Sequence, residues 1–200
     1  MSSRLTYLLG SHHAEWSYDD EYLSFVTPEL ISTSIVSLAQ EHFAGLIDKV
    51  IWDMFAGIGT DSIRLSQVSG RVICTELNKG TFKHLKSNIQ AMGATNIQAT
   101  RIDCCDYAER VNCNIIYFDP PWGDSFQSGT KFDFVNVILS NGKNVLDIVQ
   151  EMHKKADLII KSPFTCQSFD TLFDEKYIIG IFAFRQQKLK FLFIKKMNSI

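Results

Sequence analysis

Four consecutive residues, Asp119-Pro120-Pro121-Trp122, follow the apolar run Ile115-Ile116-Tyr117-Phe118. A carboxylate, a stiff backbone and a flat ring at the end of a strand suit one kind of chemistry: the handling of an amine on an aromatic base. Asp119 and the carbonyl of Pro120 can accept hydrogen bonds from an exocyclic amine, drawing its lone pair out of ring conjugation. The two prolines fix the backbone, so the geometry is set in advance. Trp122 can stack on a base, worth about 1–3 kcal/mol, and Gly123 leaves room for it. A plain turn closed by a core tryptophan would use the same letters, so the surrounding pattern decides.

A second stretch, Asp53-Met54-Phe55-Ala56-Gly57-Ile58-Gly59-Thr60-Asp61, supplies that pattern. It follows a strand-like run and opens a helix-like one, and its two glycines let the backbone turn tightly and approach a ligand. It has neither the third glycine of a dinucleotide loop nor the Gly-Lys-Ser/Thr of a phosphate loop. Glu76 and Asp103 close the next two strand-like runs. In a doubly wound sheet the first can accept hydrogen bonds from two ribose hydroxyls and the second can face an adenine amine. NAD and S-adenosylmethionine both fit an acid there. Asp53 beside the loop repels a pyrophosphate and suits the ammonium of a methionine tail, which favours S-adenosylmethionine.

The elements that must position these residues can be read from periodicity. Thr27-Pro28-Glu29 has the chemistry of a helix start, with threonine as the cap, and Ile31, Ile35, Leu38, Ala39 and Phe43 keep helical spacing up to Gly45. Strands are expected at 49–53, 71–76, 96–103, 114–119 and 156–162, with helices between them. The runs 177–184 and 188–196, joined by Arg185-Gln186-Gln187, predict a closing antiparallel pair. The expected fold is α/β and Rossmann-like: seven strands, mostly parallel, with helices on both faces. In that fold strands one and four lie side by side, which would bring Asp119 to Trp122 opposite the glycine loop. Residues 1–26 read as an extension laid over a domain of residues 27–200. Its rings Trp16, Tyr18 and Tyr22 are available either for packing or for a second stacking contact.

The chain has 200 residues, 46% hydrophobic and 21% charged, with a net charge of −2. That excludes a long electrostatic footprint on nucleic acid. Charge is uneven: Lys176, Arg185, Lys188, Lys190, Lys195 and Lys196 face no acid in the C-terminal segment, which fits a locally basic face or a solvated strand edge. No apolar run reaches the roughly 18 residues of a membrane span, and no secretory leader is legible. Cys74, Cys104, Cys105, Cys113 and Cys166 lack paired spacing. Reduced thiols in the cytoplasm or nucleus are expected, with no metal. The five histidines are scattered and receive no role.

Taken together, these residues resemble class I S-adenosylmethionine-dependent methyltransferases that act on amino groups, which carry Asp/Asn/Ser-Pro-Pro-aromatic. The glycine loop precedes Asp119-Pro120-Pro121-Trp122 here, the reverse of the order in messenger-RNA adenine methyltransferases. From about Tyr22 to Met197 the chain is similar to the trimethylguanosine synthases. Ser24 to Glu29 looks like their Ser-Val-Thr-Pro-Glu, with one residue more, and Asp53 to Gly59 like their Asp-x-Phe-x-Gly-x-Gly. Glu76, Asn88, Ile102-Asp103-Cys104 and Asp119 to Asp124 fall on further family motifs, Phe132-Asp133 or Phe134 on a downstream Phe-Asp, and Lys188 onward on the closing strands.

The resemblance implies methylation of the 2-amino group of a 7-methylguanosine RNA cap. Capped RNA or the cap nucleotide would be the partner, S-adenosylhomocysteine the product, no membrane would be involved and the chain would act as a monomer. The implied cofactor contacts are Thr27, Asp53, Phe55, Ala56, Gly57, Gly59, Thr60, Glu76, Asp103 and Asp119, with Thr27 near the methionine end. Asp119, Pro120, Pro121 and Trp122 would be catalytic, and Trp122 would stack on a cationic guanine with a cation–π gain of about 2 kcal/mol. Three departures stand out: Asp119 replaces serine, Ser162-Pro163-Phe164 replaces Leu-Pro-Arg, and the N-terminal extension is short. Lys161 could replace the missing arginine at the cap phosphates, or stand in water at a strand end. The alternative substrate is an adenine or guanine inside RNA or DNA, which would have to be flipped out at a few kcal/mol. A third reading is a binding protein of methyltransferase-like fold with no activity.

Overall fold

The computed structural model describes residues 2–122, 133–139, 141–166, 168 and 171–197. The chain divides into two compact units, Met1–Cys113 and Asn114–Ile200.

The first unit holds three parallel strands in the order β3-β2-β1: β1 (Val50–Asp53), β2 (Arg71–Glu76) and β3 (Ile97–Arg101). Ile51, Trp52, Val72, Ile73, Cys74 and Thr75 are all buried, the continuous apolar run of a strand covered on both faces. Trp52 donates from Nε1 to Thr75 Oγ1 at 3.1 Å, so the one polar atom of its ring is satisfied inside the sheet. The connecting helices are α1 (Ser2–Leu9), α2 (Glu29–His42), α3 (Thr60–Ser66), α4 (Lys79–Ala91) and the short α5 (Cys104–Tyr107).

Two local expectations give way here. Thr27 does not cap α2; Pro28 holds the cap position and no side chain bonds there. The Thr27 hydroxyl donates instead to Asp61 Oδ2 at 2.6 Å, and Ser32 Oγ donates to Asp61 Oδ1 at 2.7 Å. A half-buried carboxylate is a stronger acceptor for a hydroxyl than any use the helix end could make of it. β3 also stops earlier than predicted. Asp103 lies beyond it and caps α5, accepting from Cys105 N at 2.9 Å.

The N-terminal segment is integral to the packing of this unit. Leu8, Leu9, Trp16 and Leu23 form one buried cluster with Ile58 and Ile63, and Tyr18 and Tyr22 pack against it. Trp16 is 7% exposed, so its ring serves packing.

The second unit holds β4 (Ile115–Phe118), β5 (Asp157–Pro163), β6 (Ile178–Phe184) and β7 (Leu189–Ile194) in the order β4-β5-β7-β6. β4 and β5 run parallel; β7 is antiparallel to both β5 and β6. Every residue of β7 is buried, which fits its place between two strands. Helix α6 (Val145–His153) starts at Asn144, whose side chain accepts from Leu146 N at 2.8 Å. The seven strands, the helices between them and the antiparallel closing pair agree with the fold expected from the sequence. No helix among the described residues is long and apolar enough to cross a membrane.

Candidate functional site

The first constellation is built on the turn between β1 and α3. Gly57 and Gly59 have φ of +54° and +94°, the left-handed region where glycine carries no steric cost. The turn is pinned to β2: Ala56 N donates to Thr75 O at 3.0 Å, and Gly57 N to Glu76 Oε2 at 3.0 Å. Glu76 Oε1 accepts from Asn78 N at 2.7 Å. Burial pushes the Glu76 carboxyl above its ordinary value, while N–H groups of Asn78, Gly57 and Leu77 pull it back. A carboxylate offers about four lone-pair sites, so these N–H groups orient Glu76 and leave capacity for hydroxyl donors. A Cβ built on Gly57 meets nothing within 4 Å, so open space lies before the turn. One built on Gly59 would lie 2.6 Å from Leu85 Cδ1, because that glycine is packed against α4.

The other predicted residues of this unit are distributed around the turn. Asp53 is 1% exposed and its Oδ2 accepts from Ser62 Oγ at 2.5 Å, which ties the end of β1 to the first turn of α3. Cys74 donates to the same Ser62 oxygen, and burial followed by the charge of Asp53 drives its thiol far above the ordinary range. Thr60 is buried and Phe55 is half-buried. Thr27 reaches the site through Asp61, a residue whose joining of α2 to α3 gave no sequence signal beyond its place after the glycine turn.

Asn88, named only through resemblance, is fully buried in α4. It accepts from Ser17 N at 2.6 Å and donates to Ser17 O at 3.0 Å and to Ile58 O at 2.8 Å. It therefore holds the N-terminal segment and the glycine turn together. His84 joins the same segment, bonding Ser17 Oγ at 2.7 Å and lying 3.1 Å from Asp19 Oδ2.

Asp103, Cys104 and Cys105 form the one metal-ligand-type cluster found among the described residues, with ligand atoms within 4.8 Å. The hydrogen bond with Cys105, then burial, push the Cys104 thiol far upward. Metal binding requires thiolate, so binding there would have to release the Cys104 proton.

The second constellation lies at the end of β4. Phe118 is fully buried, Asp119 half-buried, Pro120 buried, Pro121 exposed and Trp122 half-buried. Lys161, on β5, is 2% exposed. Its Nζ lies 2.5 Å from Asp119 Oδ2 and 5.4 Å from the centroid of the Trp122 ring. The lysine thus does not stand in water; it fastens the carboxylate and faces the indole. The signal available in the sequence was a lone lysine inside the apolar strand Asp157–Pro163, read from a pattern that does not reveal its partner. Gly123, Asp124 and Phe132 lie outside the described residues, while Asp133 caps a short turn by accepting from Val135 N.

Chemically, the first constellation offers a carboxylate and backbone turn suited to a ribose diol, and the second a fixed carboxylate beside an aromatic face. The family model described as "Conserved hypothetical protein 95" matches residues 28–161, well over half of the chain. An uncharacterized protein, L320, of Acanthamoeba polyphaga mimivirus is 27% identical over 155 residues, 74% of this chain and 58% of that protein. A tRNA/tmRNA (uracil-C(5))-methyltransferase of Shewanella halifaxensis is 27% identical over 123 residues, 51% of this chain and 34% of that protein. The chain therefore spans between a third and three fifths of the length of these relatives. An RNA methyltransferase from Salinibacter ruber, solved in complex with S-adenosyl-L-homocysteine, has a TM-score of 0.56 at 13% identity, covering 87% of this chain and 95% of its own. At that identity the likeness establishes a shared fold.

Proposed function

We infer that this chain, which belongs to the family described as conserved hypothetical protein 95, is an S-adenosylmethionine-dependent methyltransferase acting on an exocyclic amine of a nucleobase in RNA. The observation that carries the reading is Asp119, a carboxylate fixed at the end of β4 and sharing Lys161 with the face of Trp122. RNA as the substrate is supported by the matched tRNA/tmRNA methyltransferase and by the RNA methyltransferase of the same fold.

The residues of the first unit fit the cofactor. Glu76 presents a carboxylate, oriented by Gly57 and Asn78, to a ribose diol, and the open space before Gly57 admits the nucleoside. Thr27, Phe55, Ala56, Gly59, Thr60 and Asp103 complete the proposed set. Asp53 contributes by anchoring the turn through Ser62. When bound, S-adenosylmethionine supplies an electrophilic methyl group. Asp119 and the carbonyl of Pro120 accept the hydrogens of the amine and aim its lone pair. Pro120 and Pro121 keep that aim fixed, and Trp122 holds the base flat. Orientation of this kind supplies most of the rate without a metal or a covalent intermediate.

A narrower reading, the 2-amino group of a 7-methylguanosine cap, is supported by the order and identity of the motifs from Thr27 to Trp122. A cap base is terminal and needs no flipping, which suits a chain of net charge −2. The proposed setting is a monomer in a reducing compartment, cytoplasm or nucleus.

The test is transfer of labelled methyl to short single-stranded RNA, GTP and 7-methyl-GTP offered side by side. Label on RNA, reduced about 10- to 100-fold by Trp122→Ala as lost stacking requires, supports the leading reading. Label on 7-methyl-GTP alone supports the cap. Label on none of the three, with S-adenosylhomocysteine still bound, removes both in favour of a binding role.

A further inference from the structure

Among the described residues of the second unit, Lys161 is the most deeply buried lysine, at 2% exposure. A lysine is rarely buried unless a partner compensates its charge. Here the partner is Asp119, 2.5 Å away, and the indole of Trp122 faces the same ammonium at 5.4 Å. All three groups belong to one unit and to the proposed substrate site. Their charges bear on which base the site accepts. A carboxylate standing alone beside an aromatic face would attract a cationic base twice over, through Coulomb attraction and through the ring quadrupole. The ammonium of Lys161 cancels the first attraction and already draws on the second.

We propose that Lys161 is a positioning and specificity-determining residue: it orients Asp119 and sets the Trp122 site for neutral nucleobases, against cationic ones such as 7-methylguanine. The proposal rests on the nucleobase reading above and deepens it, because it ranks an ordinary RNA base ahead of a methylated cap. Lys161 is not a phosphate contact in this arrangement. Its role is exerted through Asp119 and through the charge it places beside the ring.

The experiment is calorimetric binding of GTP and of 7-methyl-GTP to the full chain with S-adenosylhomocysteine present, at a pH where the methylated base is cationic. Wild type is expected to bind GTP at least as tightly as 7-methyl-GTP. Lys161→Met should shift the ratio of the two affinities about tenfold toward 7-methyl-GTP, the size of one cation–π contact of about 1.4 kcal/mol. Asp119→Asn, which leaves the ammonium in place without its carboxylate, should shift the ratio toward GTP. An unchanged ratio in Lys161→Met, with both nucleotides bound, overturns the role of Lys161 alone. A wild-type preference of tenfold or more for 7-methyl-GTP overturns it without any variant, so a poorly folding Lys161→Met leaves the test intact. If S-adenosylhomocysteine binds and neither nucleotide does, selection between free bases by Lys161 is overturned, while the nucleobase reading still stands or falls by labelling of RNA.

Discussion

Glu76 shows how one carboxyl can serve a ligand at a cost to the empty protein. Burial raises its pKa above the ordinary value of 4.5, so the folded chain holds that proton more tightly than the unfolded one. Its contribution to stability is therefore greatest below its unfolded pKa and is lost as pH rises through the raised value. In its ionised form it is satisfied by the N–H groups of Gly57 and Asn78 and, in the proposed function, by ribose hydroxyls. Glu76→Gln cannot ionise. Relative to wild type without cofactor, its melting temperature should rise as pH climbs above about 4, while its affinity for S-adenosylhomocysteine falls. Parallel melting curves across that range would show that the carboxyl is not strained by burial. Asn88 is the second residue whose removal should be informative. Asn88→Ala would strip partners from Ser17 and Ile58 inside the fold, costing about 2–3 kcal/mol. Denaturant unfolding measures the loss, and limited proteolysis should then cut within residues 10–24 first.

At the scale of elements, the β1–α3 turn separates two uses of glycine. Gly59 needs both its positive φ and its missing side chain, since a Cβ would press on buried Leu85. Gly57 needs only the positive φ, because open space lies beyond it. Gly57→Ala should cost about 1–2 kcal/mol of backbone strain and Gly59→Ala more. Gly57→Ala should weaken S-adenosylhomocysteine binding out of proportion to its stability loss, since its methyl occupies the space proposed for the nucleoside. Equal effects of the two variants on binding and on stability would contradict this. Strand and helix placement was legible in the sequence, because buried parallel strands such as β2 and β4 are apolar runs bounded by loops, and α4 keeps a 3.6-residue stripe. What the alternation of elements leaves open is long-range side-chain pairing. The Thr27 hydroxyl turned from a helix cap to Asp61, and Lys161 turned inward to Asp119, each because a carboxylate distant in sequence outcompeted the local use. Local patterns carry propensity and periodicity; they carry no record of which charge meets which.

At the scale of the whole molecule, a net charge of −2 fits the proposed function, in which a base is recognised more than a strand. The acids of the first unit serve a nucleoside cofactor in the proposed function, and the pair in the second serves an amine. The chain spans only part of its relatives' length. The proposed function turns on the atom that receives the methyl group. The most direct measurement is mass spectrometry of nucleosides digested from unmodified RNA after incubation with the chain and S-adenosylmethionine. A methyl group on the exocyclic amine of adenosine or guanosine, lost with Asp119→Ala, is expected. A methyl group on carbon 5 of uridine or on a ring nitrogen, or one that survives Asp119→Ala, would contradict it.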